Sequence, residues 1–237
     1  MKKHRTGLLF FILILGIILT SCGTSAAAEN PSEINDLTEA DAAYALEYAL
    51  TTALIDSGQQ LIQDVRTRSL IPQSYAVLED NRDLIVGLNS LLETWDEEFS
   101  DYLVRSFEAV LESLDMITSG IKFSDPFAFV EESDTSTSDY FLKLHGNAIL
   151  TYLYNVAANA DYATLEKARN QYNIYIRTSN YVYGTSYAEL EECNVIDEFG
   201  SLFYRTFTQL LRTNERLFRT TPDPYLDPRV KAVFGND

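Results

Sequence analysis

The sequence predicts an all-α fold, a single-domain multi-helix bundle, from two observations. Apolar residues recur at offsets of three and four along most of the chain after residue 35, which is the spacing of one helix face. Candidate caps, glycines and prolines separate these periodic segments. About 200 residues follow residue 35, which is enough for one domain to bury a sizeable core. We therefore expect a helical domain over residues 36–237.

The first helix is predicted to begin near Thr38. Thr38 and Asp41 have the spacing of an approximate capping box, in which each side chain accepts from the other residue's backbone N–H. The apolar residues that follow trace one helix face: Ala42, Ala45, Leu46, Ala49, Leu50, Ala53 and Leu54. Residues 74–94 continue in the same style, with Gly87 as a predicted break.

The most regular segment runs from residue 97 to Gly120, which supplies a natural helix end. Its apolar residues cover about half of the helix circumference at 100° per residue. They are Phe99, Tyr102, Leu103, Phe107, Val110, Leu111, Leu114 and Ile117. A stripe this wide is typical of a helix packed in a core, and an exposed groove for a partner helix or lipid is the alternative.

Capping signals open two further helices. Ser124 precedes Pro126 at the start of a short helix, and Ser136 with Asp139 resembles a capping box that opens a longer one. One face of the longer helix is predicted to hold Phe141, Leu144, Ala148, Tyr152 and Val156.

The last long helix is predicted over about residues 195–219, and Pro222, Pro224 and Pro228 then end regular structure. Residues 173–187 differ from the rest of the chain. Two short runs of β-branched and aromatic residues flank Thr178-Ser179-Asn180, which is a hairpin signal. A lone two-stranded ribbon is marginal in stability, so the alternative is an ordered aromatic loop.

The N-terminus has the layout of an export signal. A basic head, an uncharged run of roughly a dozen residues and small residues precede Cys22, and the run is shorter than a membrane span requires. Leu19-Thr20-Ser21-Cys22 resembles the lipobox of bacterial lipoproteins, which implies a diacylglycerol on the Cys22 thiol. An ordinary signal peptide with a chance cysteine is the alternative.

This resemblance implies a signal peptide over residues 1–21 and a flexible tether over 22–35, where the residues are small and polar. We therefore expect membrane attachment through the lipidated N-terminus, in the bacterial cell envelope. The residue after Cys22 is Gly23, whereas an aspartate at this position would resemble an inner-membrane retention signal. This favours the outer membrane, with the protein facing the periplasm, and the cell surface is the alternative.

Charge and cysteine content exclude several classes of function. After removal of the signal, 15 basic and 35 acidic residues leave a formal charge of −20. Such a surface repels the phosphates of nucleic acids, so no nucleic acid partner is expected. With Cys22 lipidated only Cys193 remains, and no intramolecular disulfide can form.

The sequence carries no recognisable reaction chemistry. His145 is the only histidine after the signal, and Glu191 and Glu192 beside Cys193 disfavour a thiolate. Nucleophile elbows, zinc-protease motifs, phosphate loops and dinucleotide fingerprints do not occur in it. We therefore predict no catalytic residue, no metal site and no cofactor, and an enzyme is less favoured than a binding protein.

Four residues form the candidate binding site. Asp139 and Tyr140 open one predicted helix, and Glu215 and Arg219 form an i,i+4 pair on another. These side chains would face one groove between helices if they act together. The alternative is architectural: Asp139 interacts with the helix N-terminus, and the Glu215–Arg219 pair supports the helix surface.

Three segments resemble the bacterial envelope family called domain of unknown function 4197. They are LTEADAAYALEYAL, DTSTSDYF, and a helix ending NERLFR before DPRVKAVFG, and together they span about residues 36–235. Residues 60–120 match only in helical character, and residues 172–187 depart from the family pattern. The resemblance implies an exported, mostly helical protein without an established activity, and it assigns no catalytic residue.

Three hypotheses of function remain. The first is a lipid-anchored envelope protein that binds a protein, peptide or glycan through an aromatic-rich surface, because 15 Tyr and 13 Phe supply stacking and hydrogen-bonding area. The second is a carrier of a small apolar ligand or lipid between helices, which would need a sizeable apolar cavity. The third is an unrecognised envelope enzyme.

Overall fold

The computed structural model describes residues 37–112, 118, 120–221 and 227–234. Within these ranges the chain forms one short 3₁₀ helix, eight α-helices and no strand. The α-helices are α1 (Glu39–Thr67), α2 (Val77–Asp80), α3 (Leu88–Leu111), α4 (Pro126–Glu132), α5 (Ser136–Ala158), α6 (Ala163–Tyr183), α7 (Val195–Thr220) and α8 (Pro228–Phe234). The all-α prediction is confirmed. The predicted signal and tether, residues 1–35, lie outside the described residues.

The N-terminus of α1 is capped as its sequence predicts. The Thr38 backbone N–H donates to Asp41 Oδ2 at 3.0 Å, and the Asp41 N–H donates to Thr38 Oγ1 at 3.2 Å. Each side chain therefore satisfies a backbone donor that the helix itself leaves free. The predicted apolar face of α1, from Ala42 to Leu54, is fully buried.

The chain divides into two compact units. Among the described residues, unit 1 comprises 37–60, 109–112, 118, 120–152, 206–221 and 227–234, and unit 2 comprises 61–108 and 153–205. In unit 1, one apolar cluster contains Leu50, Ala53, Leu54, Phe141 and Leu211. A second contains Ala45, Leu46, Ala49, Val230 and Phe234.

Unit 2 has an aromatic core. The rings of Trp95 and Phe99 stack at a centroid distance of 4.5 Å, and Phe199 packs on Phe99 at 4.8 Å. The indole Nε1–H of Trp95 donates to the carbonyl of Leu70 at 2.9 Å, so the one polar atom of this buried ring has a partner.

Helix α3 begins directly after Gly87, whose φ of +81° explains the predicted break. Phe99, Leu103 and Phe107 of the apolar stripe are buried, which supports its interpretation as a core face. Leu114 and Ile117, at the far end of the stripe, lie outside the described residues.

Two predicted helix boundaries need correction. Asp125, rather than Ser124, caps α4, because its side chain accepts from the Ala128 N–H at 3.1 Å. Pro228 begins α8 instead of ending regular structure, since proline fits the first position of a helix, where no N–H is needed. Pro222 and Pro224 lie outside the described residues.

The predicted buried face of α5 is wrong at two positions. Leu144 is 52% exposed and Ala148 is exposed, whereas Phe141, Leu153 and Val156 are buried. Leu142, Leu144, Ile149 and Leu150 lie on several sides of α5. The periodicity of apolar residues alone therefore does not show which side of α5 packs against the core.

Residues 173–187 form neither a hairpin nor a loop over most of their length, because α6 continues to Tyr183. The buried residues of α6 are Leu165, Ala168, Tyr172 and Ile176, which follow one another at spacings of three, four and four. Packing of this face stabilises the helix over the strand preference of its β-branched and aromatic residues.

Candidate functional site

Glu215 and Arg219 form a buried ion pair in unit 1. The two residues lie one turn apart on α7, and Arg219 Nη2 is 2.8 Å from Glu215 Oε1. The side chains are 0% and 3% exposed respectively, unlike an ordinary i,i+4 pair on a helix surface.

The Glu215 carboxylate caps the N-terminus of α5. It accepts from the Thr137 N–H at 3.1 Å, from the Ser138 N–H at 2.6 Å and from the Thr137 hydroxyl. A negative charge here also interacts favourably with the helix dipole. The predicted capping box of Ser136 and Asp139 is absent, since the Ser136 hydroxyl donates to the Phe129 carbonyl instead.

Arg219 connects four parts of unit 1. Its Nη1 donates to the carbonyl oxygens of Phe129 and Ser133, at 3.3 and 2.8 Å, and its Nη2 donates to Ser136 Oγ at 3.0 Å. The guanidinium also lies 5.1 Å from the centroid of the Phe234 ring. Burial lowers the pKa of Arg219, and the neighbouring Glu215 carboxylate opposes that shift.

Asp139 and Tyr140 lie at the same end of α5, but Asp139 is exposed and Tyr140 is partly exposed. Asp139 Oδ1 accepts from Arg212 Nε at 2.7 Å, and both side chains are about half exposed. Tyr140 packs against Phe129 with ring centroids 5.2 Å apart. The structure thus brings the four candidates to the start of α5. Glu215 and Arg219 are buried there, so their role is to stabilise the fold rather than to bind a ligand.

Of the other candidate groups of the sequence, His145 belongs to unit 1 and Cys193 to unit 2. Cys22 lies outside the described residues. Burial lowers the pKa of His145, whose ring packs 5.1 Å from that of Phe141. Cys193 belongs to the segment after α6, where its N–H donates to Tyr75 Oη at 3.3 Å. The described part of the chain contains no cluster of three or more His, Cys, Asp or Glu side chains that could hold a metal ion.

Unit 2 contains a cleft of about 400 Å³. Five of its lining side chains are charged: Arg66, Arg68, Asp96, Glu97 and Asp101. Small-molecule sites are mostly apolar, so this charged lining does not favour the hypothesis of an apolar ligand.

Within the described residues, a group of exposed aromatic side chains also lies in unit 2. Helix α6 and the residue stretch after it expose Ile174 (52%), Tyr175 (40%), Tyr181 (91%), Val182 (60%), Tyr183 (77%) and Tyr187 (63%). We call Ile174, Tyr175, Tyr181, Val182 and Tyr187 the tyrosine surface. Ile174 and Tyr181, like Tyr175 and Val182, are seven residues apart, so they lie on one side of α6. Tyr172 and Ile176 lie on the opposite, buried side, and Tyr183, seven residues after Ile176, lies at the end of that side.

Two asparagines hold the chain that follows α6 against that helix. The Asn180 side chain accepts from the Tyr187 N–H at 2.9 Å and donates to the Tyr187 carbonyl at 2.8 Å. Asn173 does the same for Leu190, accepting from its N–H at 2.8 Å and donating to its carbonyl at 3.0 Å. The spacing of seven residues places both asparagines on one flank of α6. The segment that carries Tyr187 therefore has a defined backbone position.

The turn between α6 and this segment is built on Gly184. Its φ of +66° is the left-handed conformation that commonly ends a helix, and its N–H donates to the Asn180 carbonyl at 3.0 Å. Thr185 Oγ1 adds a bond to Asn180 Oδ1 at 2.8 Å. Asn180 thus fixes the turn at three points.

A second exposed segment adjoins α6. Leu84 and Val86, in the turn before α3, are 68% and 90% exposed. Gln171 Nε2 donates to the Val86 carbonyl at 3.1 Å, which places this turn beside α6 less than one helical turn before Ile174. Exposed apolar side chains are therefore present in this turn as well as on α6.

The pattern of residues 173–187 predicts a hairpin or a loop, and no binding residue is predicted there. A signal was available: Asn173 and Asn180 share the spacing of seven with the buried pair Leu165 and Tyr172. The hydrogen bonds to Tyr187 and Leu190 depend on how the chain turns at Gly184, which that spacing alone does not predict.

None of the described helices is long and apolar enough to cross a membrane. The chain matches no protein-family model, no curated protein and no solved structure. The resemblance to the domain of unknown function 4197 stays a prediction.

Proposed function

We propose that this chain is a lipid-anchored protein of the bacterial cell envelope that binds an envelope protein, peptide or glycan through the tyrosine surface and is not an enzyme. The observation that carries the proposal is the exposure of three tyrosines: Tyr175 and Tyr181 on α6, and Tyr187 on the segment that two asparagines hold against α6.

Exposed tyrosines suit binding because each offers a large apolar ring with a polar end and few rotatable bonds. Association costs free energy when side chains and loops become ordered. The bonds from Asn173 and Asn180 fix the segment beyond Gly184 in advance, which lowers this cost. Thr, Ser, Asn and Gly between the tyrosines supply hydrogen-bonding groups, the combination found in antibody binding loops.

Site-specific photocrosslinking in the producing cell tests the surface. The full chain would carry p-benzoylphenylalanine at Tyr181 or Tyr187, and the matched control would carry it at Leu144, which is 52% exposed on α5. We expect a discrete adduct from positions 181 and 187 and none from position 144. Absence of adducts at 181 and 187, or the same adducts at all three positions, would rule out the tyrosine surface as the binding site.

The anchor is tested separately. Labelled fatty acid should enter the protein at Cys22, and Cys22→Ser should abolish labelling, because the thiol is the attachment atom that the lipobox resemblance implies. Cys193→Ser is the control and should label normally. Equal labelling of the Cys22→Ser protein and its parent would show that no lipid is attached there.

A further inference from the structure

The tyrosine surface occupies an acid-free part of an acidic chain. No Asp or Glu falls between Glu166 and Glu189, although the full chain carries 35 acidic residues. The single charged residue within the tyrosine-rich stretch, Arg177, has its Nη1 3.5 Å from Glu189 Oε2. The centre of the surface is thus apolar and close to neutral.

Exposed carboxylates lie in the two segments that adjoin α6. Asp80 and Asp83 precede Leu84 and Val86, and Glu189, Glu191 and Glu192 follow Tyr187. Glu189 and Glu192 contact α6 through Arg177 and Arg169, so this acidic segment lies beside the helix. No ion pair in the described ranges engages Asp80, Asp83 or Glu191.

We infer that the occupant of the tyrosine surface is a protein whose contact face has an apolar centre and a rim of Lys and Arg. This inference rests on the proposed function and names its partner class. The centres of protein interfaces are enriched in aromatic side chains and depleted of charged residues, and a polar rim surrounds them. A basic rim on the partner would complement Asp80, Asp83 and Glu191 and would speed the encounter of the two molecules.

The same carboxylates disfavour other occupants. A second copy of this chain would bring like acidic rims together, because both partners of a two-fold interface present the same patch. Anionic lipid head groups would be repelled by the carboxylates beside the tyrosines. A neutral glycan would stack on the tyrosines without any use for the rim, and its binding would be insensitive to salt.

The crosslinked adduct at Tyr181 provides the first test. Its mass and its sensitivity to protease identify it as a protein, a lipid, a glycan or a dimer of this chain. We expect a second protein. The association of that purified protein with the mature lipidated chain would then be followed by stopped flow at low and high salt.

Two sets of variants separate the centre from the rim. Tyr181→Ser should weaken the affinity about tenfold or more, chiefly through faster dissociation, as for a central aromatic residue. The pair Asp83→Asn and Glu191→Gln should slow association roughly two- to tenfold and reduce its salt dependence, with little change in dissociation. Circular dichroism checks that each variant remains folded, and Leu144→Ser is the control that should change neither rate.

The outcomes distinguish this inference from the proposed function. A glycan adduct, or a protein adduct whose association ignores both salt and the rim variants, would overturn the basic-rimmed partner while leaving the binding surface in place. A lipid adduct or a self-dimer would also overturn this inference, and the loss of every adduct at Tyr181 and Tyr187 would overturn both proposals.

Discussion

Glu215 shows how one buried charge is held in this protein. Removing a carboxylate from water costs several kcal/mol, and the cost is offset only when its lone pairs have partners. Glu215 has the guanidinium of Arg219, two backbone N–H groups and the Thr137 hydroxyl. The network therefore determines where α5 begins, and a capping box is not needed there.

Glu215→Gln should destabilise the protein by about 3–5 kcal/mol, because it leaves the Arg219 charge buried without its counterion. Asp139→Asn is the matched control. Its pair with Arg212 is half exposed and should be worth only about 0–1 kcal/mol. Urea unfolding of both variants gives the comparison, and equal midpoints for the two would contradict the assigned role of Glu215.

At the scale of elements, the segment after α6 depends on two side chains rather than on secondary structure. Asn180→Ala should remove the acceptor of the Tyr187 N–H and raise its hydrogen exchange, since one such bond is worth about 0.5–1.5 kcal/mol. The Leu190 amide, which bonds to Asn173, should stay protected. Amide exchange measured by NMR would show both.

Asn170→Ala provides the control for this measurement. Asn170 lies on α6, is exposed, and makes none of the bonds that hold the segment. Its replacement should leave the Tyr187 amide unchanged. If the Tyr187 amide exchanges at its original rate in Asn180→Ala too, Asn180 does not hold the segment after α6 in place.

Helix α3 allows a test of core against surface. Leu103 is fully buried, so Leu103→Ala should cost about 2–5 kcal/mol through lost burial and the cavity that remains. Leu144→Ala, at a half-exposed position, should change stability by less than about 0.5 kcal/mol. Urea melts give both values, and an unchanged midpoint for Leu103→Ala would favour an exposed groove.

Sequence periodicity predicted the elements with wide apolar stripes, because burial of such a stripe is what stabilises a helix. The stripe of α1 and the residues Phe99, Leu103 and Phe107 of α3 are buried as expected. Periodicity did not predict α6 or the buried side of α5. The residues of α6 locally favour a strand, and the apolar residues of α5 lie on several sides of the helix. In both cases tertiary packing determines the structure.

The site was predicted less well than the fold, for a physical reason. The sequence suggested that Asp139, Tyr140, Glu215 and Arg219 face one groove between helices, but it could not show that Glu215 would turn inward to the α5 N-terminus. Whether a charged side chain is buried depends on partners far away in the chain, here 78 residues away at Thr137. The same holds for the bonds from Asn173 and Asn180.

At the scale of the whole molecule, charge is the dominant feature. The chain has 35 acidic and 18 basic residues, so pairing every basic side chain would still leave 17 carboxylates unpaired. Most of the ion pairs in the described ranges have an exposed member, and such pairs contribute little. We therefore expect repulsion among the remaining carboxylates to outweigh the attraction of the surface pairs and to oppose the compact state.

Added salt should consequently stabilise this protein. The screening length falls from about 30 Å at 0.01 M to about 3 Å at 1 M, which suppresses repulsion between distant surface charges. Each kcal/mol relieved should raise the unfolding temperature by about 2–4 °C for a chain of this size. Circular dichroism melts in sodium chloride measure the rise in unfolding temperature.

A variant carrying Asp80→Asn, Asp83→Asn and Glu191→Gln should show a smaller rise in unfolding temperature with salt, because it has fewer repelling carboxylates. A fall in the unfolding temperature with salt would mean that attractive ion pairs, not the excess of carboxylates, decide the electrostatic free energy.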